Sequence, residues 1–177
     1  MRYLGEGRTI EYIVIHHSEG FFGSLDFFDQ LHRERGFPES KSGHHMGYHA
    51  CVLNGYTSFE DLDGKKYRKD VDGKLVIARE DDERGAHVHG LNSKSLGIGL
   101  VGKFDHLLPS IFQLNTLLDQ VFKWVKKYDV KTENILGHYE AQALPGRSYV
   151  PTDRRKTCPG AELNMCWIRE QIQRMMR

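Results

Sequence analysis

The chain has 177 residues, 18 of them glycine and 10 histidine, with a formal net charge of +1. This length favours one domain with a substantial core, and the near balance of charge argues against a nucleic-acid-binding or membrane-surface protein. Three cysteines, Cys51, Cys158 and Cys166, are too few and odd in number for a disulfide framework.

Residues 11–17, with the apolar run Tyr12-Ile13-Val14-Ile15, read as a first, buried strand. Ser24 is placed to cap a helix running to Arg35, with Leu25, Phe28 and Leu31 on one face and Gly36 as its stop. Residues 47–53 read as a second strand ending at the turn pair Asn54-Gly55, and Cys51 within it reads as a small core residue. The polar stretch 54–73 reads as an inserted, exposed hairpin or loop, and 74–79 as a third strand. In 96–101, glycine alternates with aliphatic residues, the pattern of a strand buried on one face and closely approached on the other. Ser110 with Gln113 forms a capping box opening a long helix, with Ile111, Leu114, Leu118, Val121 and Val125 as its core stripe and Leu117, Phe122 and Trp124 broadening it. A last helix is expected over 161–175, with Cys166 packed inside. Strands interleaved with helices predict an α/β fold, a single domain over 1–177 with a central mixed sheet flanked by helices.

Three distant residues stand out chemically. His16 ends the first apolar run, His138 follows Asn134-Ile135-Leu136-Gly137, and Cys158 lies in the turn-like Lys156-Thr157-Cys158-Pro159-Gly160. Two imidazoles and a thiolate make a three-ligand set for zinc with a fourth position left for water, the pattern of a hydrolytic metal rather than a structural one. A structural site would want a fourth protein ligand, and none is obvious in the sequence. Any one of these residues alone reads more simply as a surface histidine or an inert cysteine, so the expectation rests on the combination. His32, His44, His45 and His106 lie in polar or helical surface contexts.

Six segments occur in order: Tyr-Ile-Val-Ile-His-His-Ser (12–18), Gly-Tyr-His (47–49), Gly-Ala-His-Val-His-Gly-Leu-Asn (85–92), Ser-Leu-Gly-Ile-Gly-Leu-Val-Gly (95–102), Gly-His-Tyr-Glu (137–140) and Lys-Thr-Cys-Pro-Gly (156–160). Together they resemble the zinc-dependent N-acetylmuramoyl-L-alanine amidases, the superfamily of phage lysozyme-amidases and peptidoglycan recognition proteins. The resemblance implies one zinc ion per chain held by His16, His138 and Cys158. It implies Tyr48 as the active-site tyrosine, Lys156 as the catalytic lysine of the phage-type enzymes, and His87 and Asn92 as residues lining the substrate groove. The reaction implied is cleavage of the amide between N-acetylmuramic acid and L-alanine in peptidoglycan. The alternative is a module that binds peptidoglycan without cutting it, although members that only bind usually lack the cysteine ligand. Which group moves the proton stays open between His87 and Glu140.

The opening residues Met1–Gly7 lack the apolar stretch of a secretion signal, and no apolar run approaches the ~20 residues of a membrane span. The expectation is a monomer made in the cytoplasm, without nucleic-acid partners, that acts on cell wall after release if it is a lysin, or on small muropeptides if it is a recycling enzyme.

Overall fold

In the computed structural model, which describes residues 8–144 and 157–177, five strands form one mixed sheet. In chain order they are β1 (Tyr12–His17), β2 (Ala50–Val52), β3 (Leu75–Ile77), β4 (Ser95–Leu100) and β5 (Ile135–Gly137), arranged across the sheet as β3-β2-β4-β1-β5. β1 pairs in parallel with both β4 and β5, β2 pairs in parallel with β4, and β3 runs antiparallel at the edge. The predicted α/β class and single mixed sheet are observed.

Both faces of the sheet are covered, so β1 and β4 are buried at almost every position. Such double burial turns alternation into the continuous apolar run seen in β1. On one face Ile13, Ile15, Leu96, Ile98 and Leu100 pack against α3 (Ile111–Tyr128) and α5 (Met165–Met175). On the other lie α1 (Leu25–Glu34), the short α4 (His138–Gln142) and the loops around residues 46–49 and 85–92.

Local chemistry explains the helix ends. Ser24 caps α1 by accepting the Phe27 N–H, and Gly36 follows with φ +73°. In the Ser110–Gln113 capping box at the start of α3, each side chain accepts the other's backbone N–H, at 3.0 and 3.2 Å. The buried stripe of α3 keeps Leu117, Val121, Trp124 and Val125 of the one expected but differs in its first turn. Ile111 is 62% exposed, while Gln113, Leu117, Val121, Trp124, Val125 and Tyr128 face inward. Gln113 is drawn in because its side-chain amide donates to the Val101 and Val52 carbonyls at 2.9 and 3.4 Å, a partner set that hydropathy cannot anticipate.

Other boundaries move for similar reasons. α5 starts at Met165 rather than 161, because the Asn164 side chain accepts the Trp167 N–H and fixes the cap there. Cys166, expected in the core, is exposed on that helix, whereas Cys51 is fully buried and burial pushes its thiol up to about 12. β2 is shorter than 47–53 because the backbone before it is committed elsewhere. Gly47 N–H donates to His32 Nδ1 at 3.0 Å, and Ala86 N–H donates to the Gly47 carbonyl at 2.9 Å. The 54–73 stretch contains a short helix, α2 (Phe59–Asp63), and is tied to the start of α3 through Asp72, which accepts from Tyr67 Oη at 2.6 Å and Ser110 Oγ at 2.8 Å.

Candidate metal centre and active site

The site forms at the carboxyl ends of the parallel strands, where open α/β sheets commonly bind their ligands. Register does most of the assembly. β1 sits between β4 and β5, with His16 opposite Gly99 and Ile15 opposite Gly137. His138, the residue after Gly137, therefore arrives beside His16, and the two ring centroids are 4.7 Å apart. Cys158 comes from the loop leading to α5 and is fixed through its backbone, its carbonyl accepting the Tyr139 N–H at 2.9 Å. The peptide bond to Pro159 is cis.

One donor atom from each of His16, His138 and Cys158 lies within 4.8 Å of the other two, and His16 Nδ1 is 3.8 Å from Cys158 Sγ. His16 and Cys158 are buried and His138 is half-buried. Two imidazole nitrogens and a sulfur converging at this spacing can hold a metal ion, and among the described residues no further ligand-type side chain joins them. His17 points its side chain to the other face, as alternation requires, and its ring lies against Phe104. Its backbone N–H reaches the site and donates to Cys158 Sγ at 3.2 Å, a bond that favours a thiolate.

Tyr48 stands beside the cluster, its ring centroid 4.9 Å from that of His16. Burial raises its phenol far above its ordinary value, so Oη keeps its proton and is able to donate a hydrogen bond. Burial also holds the His16 and His87 imidazoles well below their usual range, hence neutral, with neighbouring histidines adding to the effect. The cleft above these groups encloses about 270 Å³. Phe28, Leu31 and Phe37 form an apolar wall, and Glu19 and Arg35 are its charged members.

The glycine alternation of β4 now has its cause. A Cβ on Gly99 would sit 2.9 Å from the Tyr48 ring, and one on Gly97 would sit 2.6 Å from the His87 ring. The close approach expected of this strand is made by the two aromatic groups that border the site.

Other residues singled out in the sequence fall as follows. His87 is buried and borders the cleft, with Nδ1 3.1 Å from His16 Nε2. Asn92 borders a separate opening of about 1210 Å³ beside Arg8 and Glu83, which contains none of the three donors. Its side-chain oxygen is taken by the His87 and Val88 N–H groups, both at 2.8 Å. Lys156 lies outside the described residues. Glu140 is committed to structure, accepting the Gly137 N–H at 2.8 Å and pairing with both terminal nitrogens of Arg169 at 3.0 Å. His32, expected at the surface, is 6% exposed, stacks on Phe37 at 4.7 Å and borders the cleft. The signal available for it was its place four residues after Phe28, on the same face of α1.

Comparison with solved structures finds this fold in N-acetylmuramoyl-L-alanine amidase LysC from Clostridium intestinale URNW, with TM-score 0.69, 19% identity and coverage of 93% of this chain and 86% of that one. It recurs in the Ph2119 endolysin from Thermus scotoductus MAT2119 bacteriophage Ph2119, with TM-score 0.63, 21% identity and coverage of 96% and 88%. Drosophila PGRP-LB matches with TM-score 0.60 at 22% identity, covering 92% of this chain and 80% of that one. Among curated proteins, Peptidoglycan-recognition protein 2 of Holotrichia diomphalia is 42% identical over 57 residues, a stretch spanning 32% of this chain and 30% of that relative. The family model described as N-acetylmuramoyl-L-alanine amidase matches residues 6–161, most of the sequence, and the chain therefore belongs to that family.

Proposed function

We propose that this chain is a zinc-dependent amidase that hydrolyses the bond between the lactyl group of N-acetylmuramic acid and the L-alanine of the stem peptide. The observation that carries this reading is the convergence of His16, His138 and Cys158 at the base of a cleft. A mixed nitrogen and sulfur set of this size suits zinc better than the hard, oxygen-seeking cations. A zinc ion held by this set would need its nitrogen and sulfur donors about 3.5 Å apart, close to the 3.8 Å between His16 Nδ1 and Cys158 Sγ.

When bound, zinc supplies a water-derived nucleophile at neutral pH and polarises the scissile carbonyl. The chain's own residues do the rest. His16 and His138 offer imidazole nitrogens, that of His16 held neutral by burial, and the His17 N–H stabilises negative charge on Cys158 Sγ. Tyr48 Oη, held protonated, donates a hydrogen bond toward the reacting oxygen. Phe28, Leu31 and Phe37 exclude bulk water along one side of the cleft and strengthen these polar interactions. Lys156, two residues before Cys158 in the sequence, supplies a cation for the tetrahedral oxyanion.

The test is release of stem peptide from purified sacculi together with metal analysis. The expected results are about one zinc per chain and cleavage abolished by chelation, by Cys158→Ser and by His16→Ala. Undiminished cleavage by the chelated variants would sink the mechanism. The second reading, recognition without cleavage, is favoured by the similarity of a 57-residue stretch to a peptidoglycan-recognition protein. Tight sacculus binding with no released peptide at full zinc occupancy would select it. Comparing intact sacculi with soluble muropeptides then separates a lysin, as the fold shared with an endolysin favours, from a recycling enzyme.

A further inference from the structure

His87 contributes no atom to the three-donor cluster, yet both of its ring nitrogens are engaged, and the pattern of engagement has a direction. His87 Nδ1 lies 3.1 Å from His16 Nε2. His87 Nε2 lies 3.3 Å from Ser95 Oγ, and Ser95 Oγ is 2.8 Å from the Leu91 carbonyl. A carbonyl can only accept, so the Ser95 hydroxyl spends its single proton on Leu91. Ser95 Oγ then accepts from His87 Nε2–H, leaving His87 Nδ1 without a proton and able to accept from His16 Nε2–H. His16 Nδ1 is in turn left with a bare lone pair, and it is this nitrogen that faces Cys158 Sγ.

We propose that His87 is a positioning residue: by accepting the Nε2–H of His16 it fixes that ring's tautomer and orientation, so that Nδ1 is presented to the metal. The inference rests on the metal centre proposed above. The surroundings hold the His87 ring in place. Cβ atoms built on Gly97 and Gly85 would lie 2.6 and 2.5 Å from it, so both positions are cut back to admit the ring. The Asn92 side chain grips the backbone on either side through the His87 and Val88 N–H groups. Ser95 is completely buried and His16 nearly so. Water is therefore poorly placed to replace a lost partner, and an unsatisfied Nε2–H would destabilise this orientation of His16. Histidines that ligate metals generally donate their other N–H to a fixed acceptor, and loss of that acceptor weakens metal affinity ~10–100-fold. An imidazole can play that acceptor part only as the Nε2–H tautomer, which is the one the Leu91 carbonyl enforces.

A ring that merely fills space between Gly97 and Gly85 makes different predictions, and two near-isosteric substitutions separate the cases. In His87→Asn the amide oxygen occupies the place of Nδ1 and keeps the acceptor. In His87→Gln the side chain reaches Ser95 but offers His16 no acceptor at that place. Zinc affinity is measured by competition with a chromophoric chelator on the full chain. The expected result is affinity close to that of the unsubstituted protein for His87→Asn and ~10–100-fold weaker for His87→Gln, with cleavage by His87→Gln recovering when zinc is raised. Equal affinity in all three proteins, or equal loss in both variants, would overturn the assignment. An unsubstituted chain that takes up no zinc would overturn the amidase reading instead, so the two failures are distinguishable. If either variant fails to fold, ring-nitrogen NMR of the unsubstituted protein decides. Protons on Nε2 of both His16 and His87 support the relay, and a proton on His87 Nδ1 refutes it.

Discussion

The two faces of β4 carry different residues and meet different surroundings. Leu96, Ile98 and Leu100 point to one side and enter the core shared with α3 and α5. Gly97 and Gly99, the residues between them, point to the other and lie against the His87 and Tyr48 rings. β1 repeats the division, with Ile13 and Ile15 on the core side and Val14 and His16 on the site side. One strand pair thus carries stability on odd steps and chemistry on even ones, or the reverse, separated only by the two-residue period of extended chain. The core face tolerates interchange among aliphatic residues of similar volume. The site face is defined by what is missing, namely the Cβ atoms whose absence lets aromatic rings approach the backbone.

The sharpest way to test this division is a crossed pair of substitutions. Cys158→Ser on the site side is expected to remove zinc binding and reduce cleavage to background, with the largest functional effect of any single change and little loss of folding stability in the metal-free protein. Ile98→Ala on the core side is expected to do the converse. It deletes a fully buried side chain and should lower unfolding free energy by ~2–5 kcal/mol, while the folded fraction keeps its zinc affinity. Chemical denaturation and zinc titration on both variants read the comparison directly. A Cys158→Ser chain that unfolds as readily as Ile98→Ala would show that the two faces are not separable.

This division also explains what could be read from the sequence. The apolar run before His16 and the glycine alternation in β4 announced strands, and the latter announced a close approach on one face. The rings making that approach could not be read locally, because Tyr48 lies 51 residues before Gly99 (99 − 48) and no periodicity links them. The α3 capping box is a four-residue signal and was legible. The burial of Gln113 was not, since it depends on that side chain reaching the Val52 and Val101 carbonyls. Cys166 and the start of α5 went astray for want of the Asn164 cap. His32 was assigned to the surface because histidine usually lies partly exposed, whereas here the Gly47 N–H and the Phe37 ring provide it with an interior setting. Glu140 looked available as a proton carrier because its Arg169 partner is 29 residues away.

The buried histidines of the site side give it a pH dependence. His49 accepts the Gly97 N–H at 3.0 Å, and burial lowers its imidazole to about 4 from 6.5; His32 is lowered to about 4 for the same reason. In the unfolded chain both protonate near 6.5, while in the folded protein they stay neutral until about pH 4. The unfolded state therefore binds more protons in that window, and stability is complete above pH 6.5 and declines as pH falls toward 4. For His49 alone the decline is on the order of 3 kcal/mol. Melting temperature followed by circular dichroism from pH 7 to pH 4, at constant ionic strength, should fall steadily, and should fall less in His49→Gln. A profile flat across that range would mean these rings are charged in the folded protein.

The smallest expected effect comes from adding a single carbon to the site face. Gly99→Ala would place a Cβ 2.9 Å from Tyr48 Cδ2 and Cε2, closer than real Cβ contacts come, and would force the ring to shift. Overpacking of this kind destabilises by ~1–3 kcal/mol. Because the strain falls on Tyr48 rather than on one of the proposed zinc ligands, zinc affinity should hold while turnover drops. Tyr48→Phe, which removes the donor and leaves the ring, should reduce turnover further with less change in stability. If Gly99→Ala instead weakens zinc as much as it slows cleavage, Tyr48 and His16, whose centroids are 4.9 Å apart, move as one unit, and the tyrosine is part of the metal's support rather than an independent donor.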